Sequence, residues 1–285
     1  MIIHIPDDFD LEKIETSGQC FRWTRAGEDT WRVLSGSSCL YISALGDGAY
    51  ALDCGEGDFF SRWKAYFDLD ESYASIRARI DPGADPFLHA AAEHGRGIRI
   101  LRQDPWETLV SFIISQNRSI PAIRRSVEKL CALCGERKTD PRGLEYFAFP
   151  SPAAIAALGA EDLAACRLGY RDKYVLRAAK DAEAGLFDLE AMRDMPCADA
   201  VKVLEKIYGV GNKVACCAAL FGLHFLDAFP RDVWINRALK DKYPEGWPLE
   251  KYTPYNGVYQ QYIFAYYRAL NGIGPSSRPK VLPGI

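Results

Sequence analysis

The stretch YGVGNKVACC, residues 208–217, decides how this chain folds around its most distinctive side chains. Its Gly-Val-Gly turn separates the apolar pattern of ADAVKVLEKIY from a second apolar segment, which predicts two helices joined by a hairpin at about 198–222. Such a turn leaves backbone N–H groups unpaired at the start of the second helix, where an anion such as a phosphate can bind. We therefore expect Gly209 and Gly211 to form an anion site.

Lys213 falls in the first turn of the second predicted helix, where the helix dipole disfavours a positive charge. The simpler interpretation is a contact with phosphate or solvent. The alternative interpretation uses the unfavourable position, because the positive end of a helix favours a neutral amine. A neutral amine is a nucleophile that attacks carbon centres and forms Schiff bases.

A carboxylate that could complete such a site lies 19 residues after Lys213, at Asp232 in FPRDVWIN. An aspartate at the start of a predicted helix is most often an N-cap and nothing more. A carboxylate beside the hairpin would also stabilise a developing positive charge. The ordered pattern Gly-x-Gly-x-Lys followed by Pro-x-Asp indicates such a reactive site far more specifically than Lys213 or Asp232 does alone.

Two common phosphate-binding motifs do not fit the hairpin. A P-loop needs four residues between its glycines and a hydroxyl after its lysine. A dinucleotide-binding turn needs a preceding strand and a third glycine, whereas the segment before Gly209 has a helical pattern.

The whole chain predicts an α+β fold. Short alternating segments in the first 55 residues predict an antiparallel sheet, and from about Phe59 onward the pattern is helical. We predict a small N-terminal antiparallel β-sheet domain with flanking helices over residues 1–98. A mostly helical body would follow over residues 99–285. The predicted strands contain FRWT, WRVL, CLYIS and AYALD.

Charge is distributed unevenly along the chain. The formal net charge is −3, but residues 1–98 hold 9 Lys and Arg against 17 Asp and Glu, and the remainder holds 26 against 21. A polyanionic partner would therefore bind the second part. The sequence shows no membrane-length apolar run and begins without a signal-peptide pattern, so a cytoplasmic location is expected.

The nine cysteines form no disulfide or zinc framework. Cys131 and Cys134 make a single CxxC, but they lie in one amphipathic helical pattern, which is typical of core packing. We therefore expect no metal site from side chains.

The hairpin lysine and the later aspartate resemble those of the helix–hairpin–helix DNA glycosylases. Within that superfamily the chain is most similar to the 8-oxoguanine DNA glycosylases, and its short length resembles their bacterial branch. The likeness extends over most of the chain. It is carried by SGQCFRW, ILRQDPWETLVSFIISQN, FPSPAAIA, LGYRDKY, the hairpin, PRDVW and YQQYIF.

The resemblance implies a bifunctional enzyme of base excision repair. Lys213 would attack C1′ of a flipped nucleotide and form a Schiff base, which permits strand nicking by β-elimination. Asp232 would stabilise the oxocarbenium-like transition state. The implied partner is double-stranded DNA that contains 8-oxoguanine, and the implied enzyme is a nucleoid-associated monomer.

The resemblance also assigns a base pocket. Cys217 and Phe264 would hold the flipped purine between them, and Gln260 would read its Watson–Crick edge. Gln260 and Phe264 are four residues apart in a helical pattern and so share one face. The backbone carbonyl of Gly18 would accept a hydrogen bond from the N7–H group that 8-oxoguanine has and guanine lacks. Phe264 taken alone could equally be a core residue.

Three further residues match positions that contact DNA in the family. Asn117 would fill the space left by the flipped nucleotide, Tyr170 would wedge the opposite strand, and Arg171 would support the estranged base. A bland interpretation also fits, with Asn117 as a helix C-cap and Tyr170 and Arg171 at the start of a surface helix.

The chain departs from the family pattern at several positions. Arg118 and Ser119 replace asparagines, and Ala122 replaces an arginine near the opposite cytosine in eukaryotic relatives. We therefore predict weak discrimination for the base opposite the lesion. Trp234 replaces a histidine that touches phosphate in those relatives.

No cysteine follows Cys217, so the four-cysteine iron–sulfur cluster of other superfamily members is not expected. The hairpin carbonyls remain compatible with a structural alkali or alkaline-earth ion.

The sequence alone also allows other functions. The nearest is a glycosylase of the same fold for another damaged base. A non-catalytic DNA-binding module would use the hairpin only to grip phosphate, and would need neither Asp232 opposite Lys213 nor a purine pocket. A nucleotide-binding protein is disfavoured by the glycine spacing.

Overall fold

The computed structural model describes residues 1–159 and 161–272. Its N-terminal part is built on a five-stranded antiparallel sheet with the order β1-β5-β4-β3-β2. Alternate residues such as Trp31 and Val33 are buried on one face, as the period-2 pattern requires. The predicted sheet is confirmed. The strands are β1 Ile2–His4, β2 Trp23–Arg25, β3 Thr30–Ser35, β4 Ser38–Gly46 and β5 Ala49–Leu52.

Helices make up most of the remaining described chain, so the predicted α+β class is confirmed. The α-helices are α1 Leu11–Thr16, α2 Glu56–Asp58, α3 Lys64–Tyr66, α4 Tyr73–Arg77, α5 Pro86–His94, α6 Pro105–Ser115, α7 Ile120–Cys134, α8 Pro152–Ala156, α9 Asp172–Glu183, α10 Cys197–Leu204, α11 Asn212–Phe221, α12 Val233–Lys242, α13 Leu249–Tyr252 and α14 Asn256–Leu270. A π-helical turn spans Phe59–Trp63, and 3₁₀ turns span Asp162–Cys166, Gly169–Arg171 and Ala191–Asp194.

Two local features depart from the mostly α-helical pattern of this part of the chain. A second antiparallel hairpin, β6 Arg137–Thr139 and β7 Glu145–Phe147, lies within the part expected to be helical. Its strands are too short and too polar to show a period, and Asp140 closes the turn by accepting from the backbone N–H groups of Arg142 and Leu144. In the same part of the chain Asp162–Cys166 form a 3₁₀ turn instead of an α-helix, and Arg167, which follows it, has φ +55°.

Apolar side chains form two cores. One lies between the sheet and the turns that follow it, and contains the fully buried Trp23 and Trp63. The larger core joins the helices and includes Phe21, Tyr73 and Leu88 from the N-terminal part. Packing of these residues across the junction links the two parts, and the domain boundary near residue 98 stays a prediction.

The first turn of α14 contacts α11 at one close point. A Cβ atom at Gly257 would lie 2.4 Å from the carbonyl oxygen of Ala228 and 2.5 Å from Leu220 Cδ1, so a larger side chain could not be accommodated there without movement. Leu220 belongs to α11, and Gly257 belongs to the first turn of α14. This close approach places the inner face of α14 opposite the face of α11 that carries Lys213.

The predicted helical hairpin is confirmed as α10 and α11. Gly211 is the N-cap of α11, and no side chain caps that end of the helix. The backbone N–H groups of Gly209 and Gly211 donate to no acceptor within the described chain. The hairpin therefore presents free donors at the positive end of a helix, as an anion site requires.

The ring of Tyr174 in α9 packs against the turn of the hairpin. Gly209 has φ +84°, and a Cβ atom there would lie 2.3 Å from Tyr174 Cγ. The Tyr174 ring also makes edge-to-face contacts with Tyr170 and Tyr208, with centroids 5.8 and 5.2 Å away. Gly209 is therefore required both by its backbone conformation and by the tyrosine packed against it.

Asp68 and its partners form a buried polar junction between the two parts. Its carboxylate accepts from Tyr73 Oη at 2.9 Å and Arg102 Nε at 2.7 Å, and lies 3.1 Å from Nε2 of His224, just after α11. Burial alone would raise the pKa of Asp68, but His224 and Arg102 outweigh it and lower the pKa to about 2.

Replacing Asp68 tests this junction. The folded pKa of Asp68 lies below its unfolded value, so its contribution to stability is present above about pH 4 and is lost as the pH falls towards 2. We expect Asp68→Asn to lower the free energy of unfolding by about 2 kcal/mol at pH 7 and by progressively less below pH 4.

Urea titrations at several pH values provide the measurement. Asp70→Asn is the matched control, because Asp70 is exposed and pairs only with Lys64 at the surface. Its effect should stay below about 0.5 kcal/mol. Equal losses for both variants, or a pH-independent loss for Asp68→Asn, would contradict this account of the junction.

The two hairpin glycines give a second matched pair. Gly209→Ala must adopt a left-handed conformation and displace the Tyr174 ring, so we expect it to reduce the free energy of unfolding by at least about 2 kcal/mol. Gly211 has φ −96° and open space around its missing Cβ, so Gly211→Ala should cost less than about 1 kcal/mol. Chemical unfolding of the two variants measures this difference. Equal decreases in the free energy of unfolding would refute the requirement for glycine at position 209.

Candidate active site

Lys213 is the second residue of α11, as predicted from the hairpin. Its Nζ lies 4.9 Å from the centroid of the Phe112 ring on α6. Phe112 in turn stacks on Phe221 with centroids 5.5 Å apart and meets Phe21 edge to face at 5.3 Å. The lysine amine therefore lies over the face of the Phe112 ring, where a cation–π contact holds it in place.

Cys217 follows Lys213 by one helical turn and is buried. Burial raises the pKa of the Cys217 thiol, and the neighbouring Lys213 ammonium opposes that shift. The thiol is therefore a neutral, polarisable group beside the amine.

Asp232 is the N-cap of α12, as predicted, and its carboxylate accepts from the backbone N–H of Ile235 at 2.8 Å. The segment before it is held by α14, because Gln260 Nε2 donates to the carbonyl of Pro230 at 2.9 Å. No ion pair within 4.0 Å joins Asp232 to Lys213 in the described chain. Both side chains instead face a shared space.

Two connected cavities define that space. The inner cavity, of about 150 Å³, is lined by both Lys213 and Asp232. The outer cavity, of about 820 Å³, is lined by the same two residues together with the loop at 115–121. The inner cavity also brings together all four predicted pocket residues, Gly18, Cys217, Gln260 and Phe264.

Gly18 lies just after α1 with φ +81°. Its neighbours are held firmly, because Ser17 Oγ donates to the carbonyl of Ile14 at 2.7 Å and Gln19 Nε2 donates to that of Arg99 at 2.7 Å. In the described chain the carbonyl of Gly18 accepts no hydrogen bond. It is therefore an unused acceptor on a fixed segment at the inner cavity.

Gln260 and Phe264 lie on one face of α14, as their spacing predicted. The buried amide of Gln260 donates to Pro230, and its Oε1 accepts from Gln261 Nε2 at 2.8 Å. A primary amide has two N–H groups and two lone pairs, so one donor and one acceptor remain for a ligand. Phe264 is half-buried, which fits a ring with one face towards the cavity.

Of the three residues predicted to fill the gap, wedge the opposite strand and support the estranged base, Asn117 lines the outer cavity. Asn117 follows the end of α6 with φ +51° and is exposed, and the ring of Tyr170 is 48% exposed. Arg171 is buried under the same loop. Its Nε donates to the carbonyl of Gln116 at 2.7 Å, and its Nη1 donates to that of Leu168 at 3.0 Å. Arg171 thus holds the loop that carries Asn117, and its contact with an estranged base stays a prediction.

Gln116 joins three parts of this face and was not anticipated from the sequence. Its side chain donates to the carbonyl of Gly209 in the hairpin at 3.1 Å, while its own carbonyl accepts from Arg171. Phe112 was missed in the same way. Both residues lie in an apolar helical pattern, which carries no signal for contacts to a distant hairpin.

Within the described residues, no group of three or more His, Cys, Asp or Glu side chains could hold a metal ion. All nine cysteines are free. None of the described helices is long and apolar enough to cross a membrane.

Two families match the chain in succession. Residues 2–109 match the 8-oxoguanine DNA glycosylase N-terminal domain. Residues 110–253 match the HhH-GPD superfamily of base excision DNA repair proteins, and this region contains Lys213 and Asp232.

Individual proteins agree with these matches. The "N-glycosylase/DNA lyase" of Saccharomyces cerevisiae is 34% identical over 203 residues, which cover 67% of this chain. The chain spans only 54% of the length of that yeast relative. The "Probable N-glycosylase/DNA lyase" of Methanothermobacter thermautotrophicus is 30% identical over 266 residues, which cover 83% of each chain.

Solved structures share the fold along nearly its whole length. MBOgg1 in complex with a low-affinity DNA ligand has a TM-score of 0.89 at 35% identity, covering 95% of this chain and 96% of that one. The Clostridium acetobutylicum 8-oxoguanine glycosylase/lyase, bound to dsDNA containing cytosine opposite to 8-oxoG, has a TM-score of 0.86 at 31% identity. It covers 96% of this chain and 99% of that one. The chain belongs to the HhH-GPD superfamily of base excision DNA repair proteins and, within it, to the 8-oxoguanine DNA glycosylase family.

Proposed function

We propose that this protein is a bifunctional DNA glycosylase that excises 8-oxoguanine from duplex DNA and then nicks the strand by β-elimination. One observation carries the proposal: Lys213 and Asp232 line the same inner cavity as the four predicted base-contacting residues. A nucleophile, a carboxylate and the four predicted base-contacting residues thus line one cavity of about 150 Å³, next to a hairpin with free N–H donors.

Base recognition depends on the inner cavity. Cys217 and Phe264 would hold the flipped purine, and the spare donor and acceptor of Gln260 would pair with its Watson–Crick edge. The unused carbonyl of Gly18 would accept from N7–H of 8-oxoguanine. Guanine has a lone pair at N7 instead, and facing that carbonyl costs about 1–3 kcal/mol.

Lys213 then performs the glycosylase step. The nitrogen of its neutral amine forms a bond to C1′ as the C1′–N9 bond breaks, and the electron pair leaves with the base, which takes up one of the two protons on the resulting positively charged nitrogen. A proton next moves from the nitrogen to O4′ as the C1′–O4′ bond breaks, which leaves an imine. The carboxylate of Asp232 stabilises the positive charge that develops on the sugar.

The imine makes strand cleavage accessible. It acidifies the proton on C2′, and loss of that proton expels the 3′ phosphate as the C3′–O bond breaks. Water then hydrolyses the imine and releases Lys213. The same residue therefore serves both activities.

Extrusion of the nucleotide leaves a gap in the duplex. The exposed Asn117 would fill that gap, the exposed ring of Tyr170 would wedge the opposite strand, and Arg171 would support the estranged base through the loop that it holds. The N–H groups of Gly209 and Gly211 would bind backbone phosphate. These contacts compensate for the few kcal/mol that unstacking costs.

The remaining assignments follow from this function. The partner is double-stranded DNA that contains 8-oxoguanine, and the enzyme acts as a monomer where the DNA lies, in the cytoplasm at the nucleoid. We propose that it needs no iron–sulfur cluster, because no cysteine follows Cys217. A structural ion on the hairpin carbonyls and membership of the bacterial branch stay predictions.

Lys213→Gln tests the proposal directly. We expect it to reduce both base release and strand nicking on an 8-oxoguanine duplex by about three orders of magnitude or more, because it removes the nucleophile. Lys206→Gln is the matched control, since Lys206 is exposed on the same hairpin. Single-turnover assays would follow free base and cleaved strand separately.

Duplexes with 3-methyladenine or no lesion are run beside the 8-oxoguanine duplex. Activity on 3-methyladenine alone would identify another glycosylase of the same fold. Binding without any base release would reduce the protein to a DNA reader. Equal activity of Lys213→Gln and the wild type would exclude the lysine mechanism.

Opposite-base preference gives a second prediction. Ala122 is half-buried in the first turn of α7, and Arg118 is already engaged, donating to Ser126 Oγ and the carbonyl of Arg167 at 2.7 Å each. A bidentate base contact supplies about 1–3 kcal/mol of discrimination, and neither side chain can supply it. Excision rates opposite A, C, G and T should therefore differ by less than about tenfold.

The variant Ala122→Arg should gain a preference for cytosine, and Ala122→Gln serves as a size control without the charge. Strong cytosine selectivity in the wild type would contradict this prediction.

A further inference from the structure

Arg268 lies in the last turn of α14, four residues after Phe264. Its guanidinium carbon is 4.9 Å from the centroid of the Phe264 ring. The side chain is half-buried and lines the outer cavity together with Lys213 and Asp232. It also lines a separate cavity of about 360 Å³ beyond Phe264. Arg268 therefore occupies the boundary between the reactive site and the surface.

The guanidinium of Arg268 is not paired within the described chain. None of its N–H groups donates to a described acceptor, and no described carboxylate lies within 4.0 Å. Burial lowers the pKa of the Arg268 guanidinium, and the nearby Asp232 carboxylate only partly opposes that effect. An arginine has five donors and no acceptor, so partial burial without a partner is unfavourable.

The other two arginines that line the outer cavity are each engaged by at least one hydrogen bond. Arg118 donates to Ser126 and Arg167, and Arg231 Nε donates to Asn236 Oδ1 at 2.9 Å. Arg268 is thus the arginine lining the outer cavity that has no acceptor for any of its N–H groups among the residues that the structure describes.

The chemistry of the ligand follows from this arrangement. A planar fork of N–H donors matches an oxyanion with two accessible oxygens, such as a phosphate or a carboxylate. Lys213, which lines the outer cavity, follows the hairpin N–H groups of Gly209 and Gly211 in the chain, and those groups also favour a phosphate. Under the proposed function, the anions that reach this cavity are the phosphates of the lesion strand.

We propose that Arg268 binds one backbone phosphate of the lesion strand beside the flipped nucleotide. The inference rests on the proposed function. The same guanidinium lies on the Phe264 ring, so phosphate binding also holds that ring against the flipped base. Arg268 thus links binding of the DNA backbone to the position of the Phe264 ring in the base pocket.

The test measures binding, because binding does not require the chemical step. Lys213→Gln provides an inactive background, and the probe is a duplex with a tetrahydrofuran abasic site analogue. Kd is measured over a range of NaCl concentrations with and without Arg268→Gln. We expect about tenfold weaker binding and a salt slope smaller in magnitude by about 0.9, since one phosphate contact is lost.

Neutral methylphosphonates identify the phosphate. Each is placed singly within two nucleotides of the analogue on the lesion strand. At one position the substitution should weaken binding of the Lys213→Gln protein yet have little further effect when Arg268→Gln is also present. Additive losses at every position, or an unchanged salt slope, would overturn the proposal.

Matched variants separate phosphate binding from packing. Arg79 lies over the Tyr255 ring at 4.8 Å and lines none of these cavities, so Arg79→Gln should change neither Kd nor slope. Phe264→Leu should weaken binding to 8-oxoguanine but keep the salt slope. Thermal unfolding of each variant identifies loss of folding.

The outcome is distinguishable from failure of the proposed function. If the wild type binds the analogue but releases no 8-oxoguanine, the glycosylase assignment fails while the Arg268 contact can still be measured. If excision is normal and the slope is unchanged in Arg268→Gln, only the phosphate contact is refuted.

Discussion

The contact between the Lys213 amine and the Phe112 ring is the interaction on which the site depends. The ring lies 4.9 Å from Nζ and holds the lysine side chain in place, and no described carboxylate forms an ion pair with it. Phe112 also stacks on Phe221 of the same helix as Lys213, which fixes the position of its ring relative to that helix. A nucleophile must be positioned in this way before it can meet a sugar carbon.

The rest of the fold maintains this contact from two sides. Gly209 lets the hairpin turn tightly against Tyr174, which sets where α11 begins. On the opposite side, Gly257 lets α14 approach α11, and Gln260 then holds Pro230 and so positions Asp232. Lys213 and Asp232 are thus supported by different helices and meet only at the cavity.

The sequence predicted the features that depend on local physics. The hairpin, the position of Lys213 in the second helix and the N-cap Asp232 all follow from short-range rules for turns and helix ends. The β6–β7 hairpin escaped because three-residue polar strands have no readable period. The roles of Phe112, Gln116 and Arg268 were not predicted for another reason. Phe112 and Gln116 contact residues that lie far away along the chain, and the exposure of Arg268 depends on how its helix packs. A helical pattern in the sequence does not distinguish such residues from ordinary core or surface positions.

The most direct test of this account is to trap the imine with borohydride on an 8-oxoguanine duplex and locate the adduct by peptide mass spectrometry. We expect one reduced adduct, on Lys213, and no adduct with undamaged duplex. An adduct on another lysine or on the N-terminal amine would contradict the assignment of the nucleophile. Complete excision with no covalent adduct would instead show that water attacks the sugar, with Lys213 serving only to bind DNA.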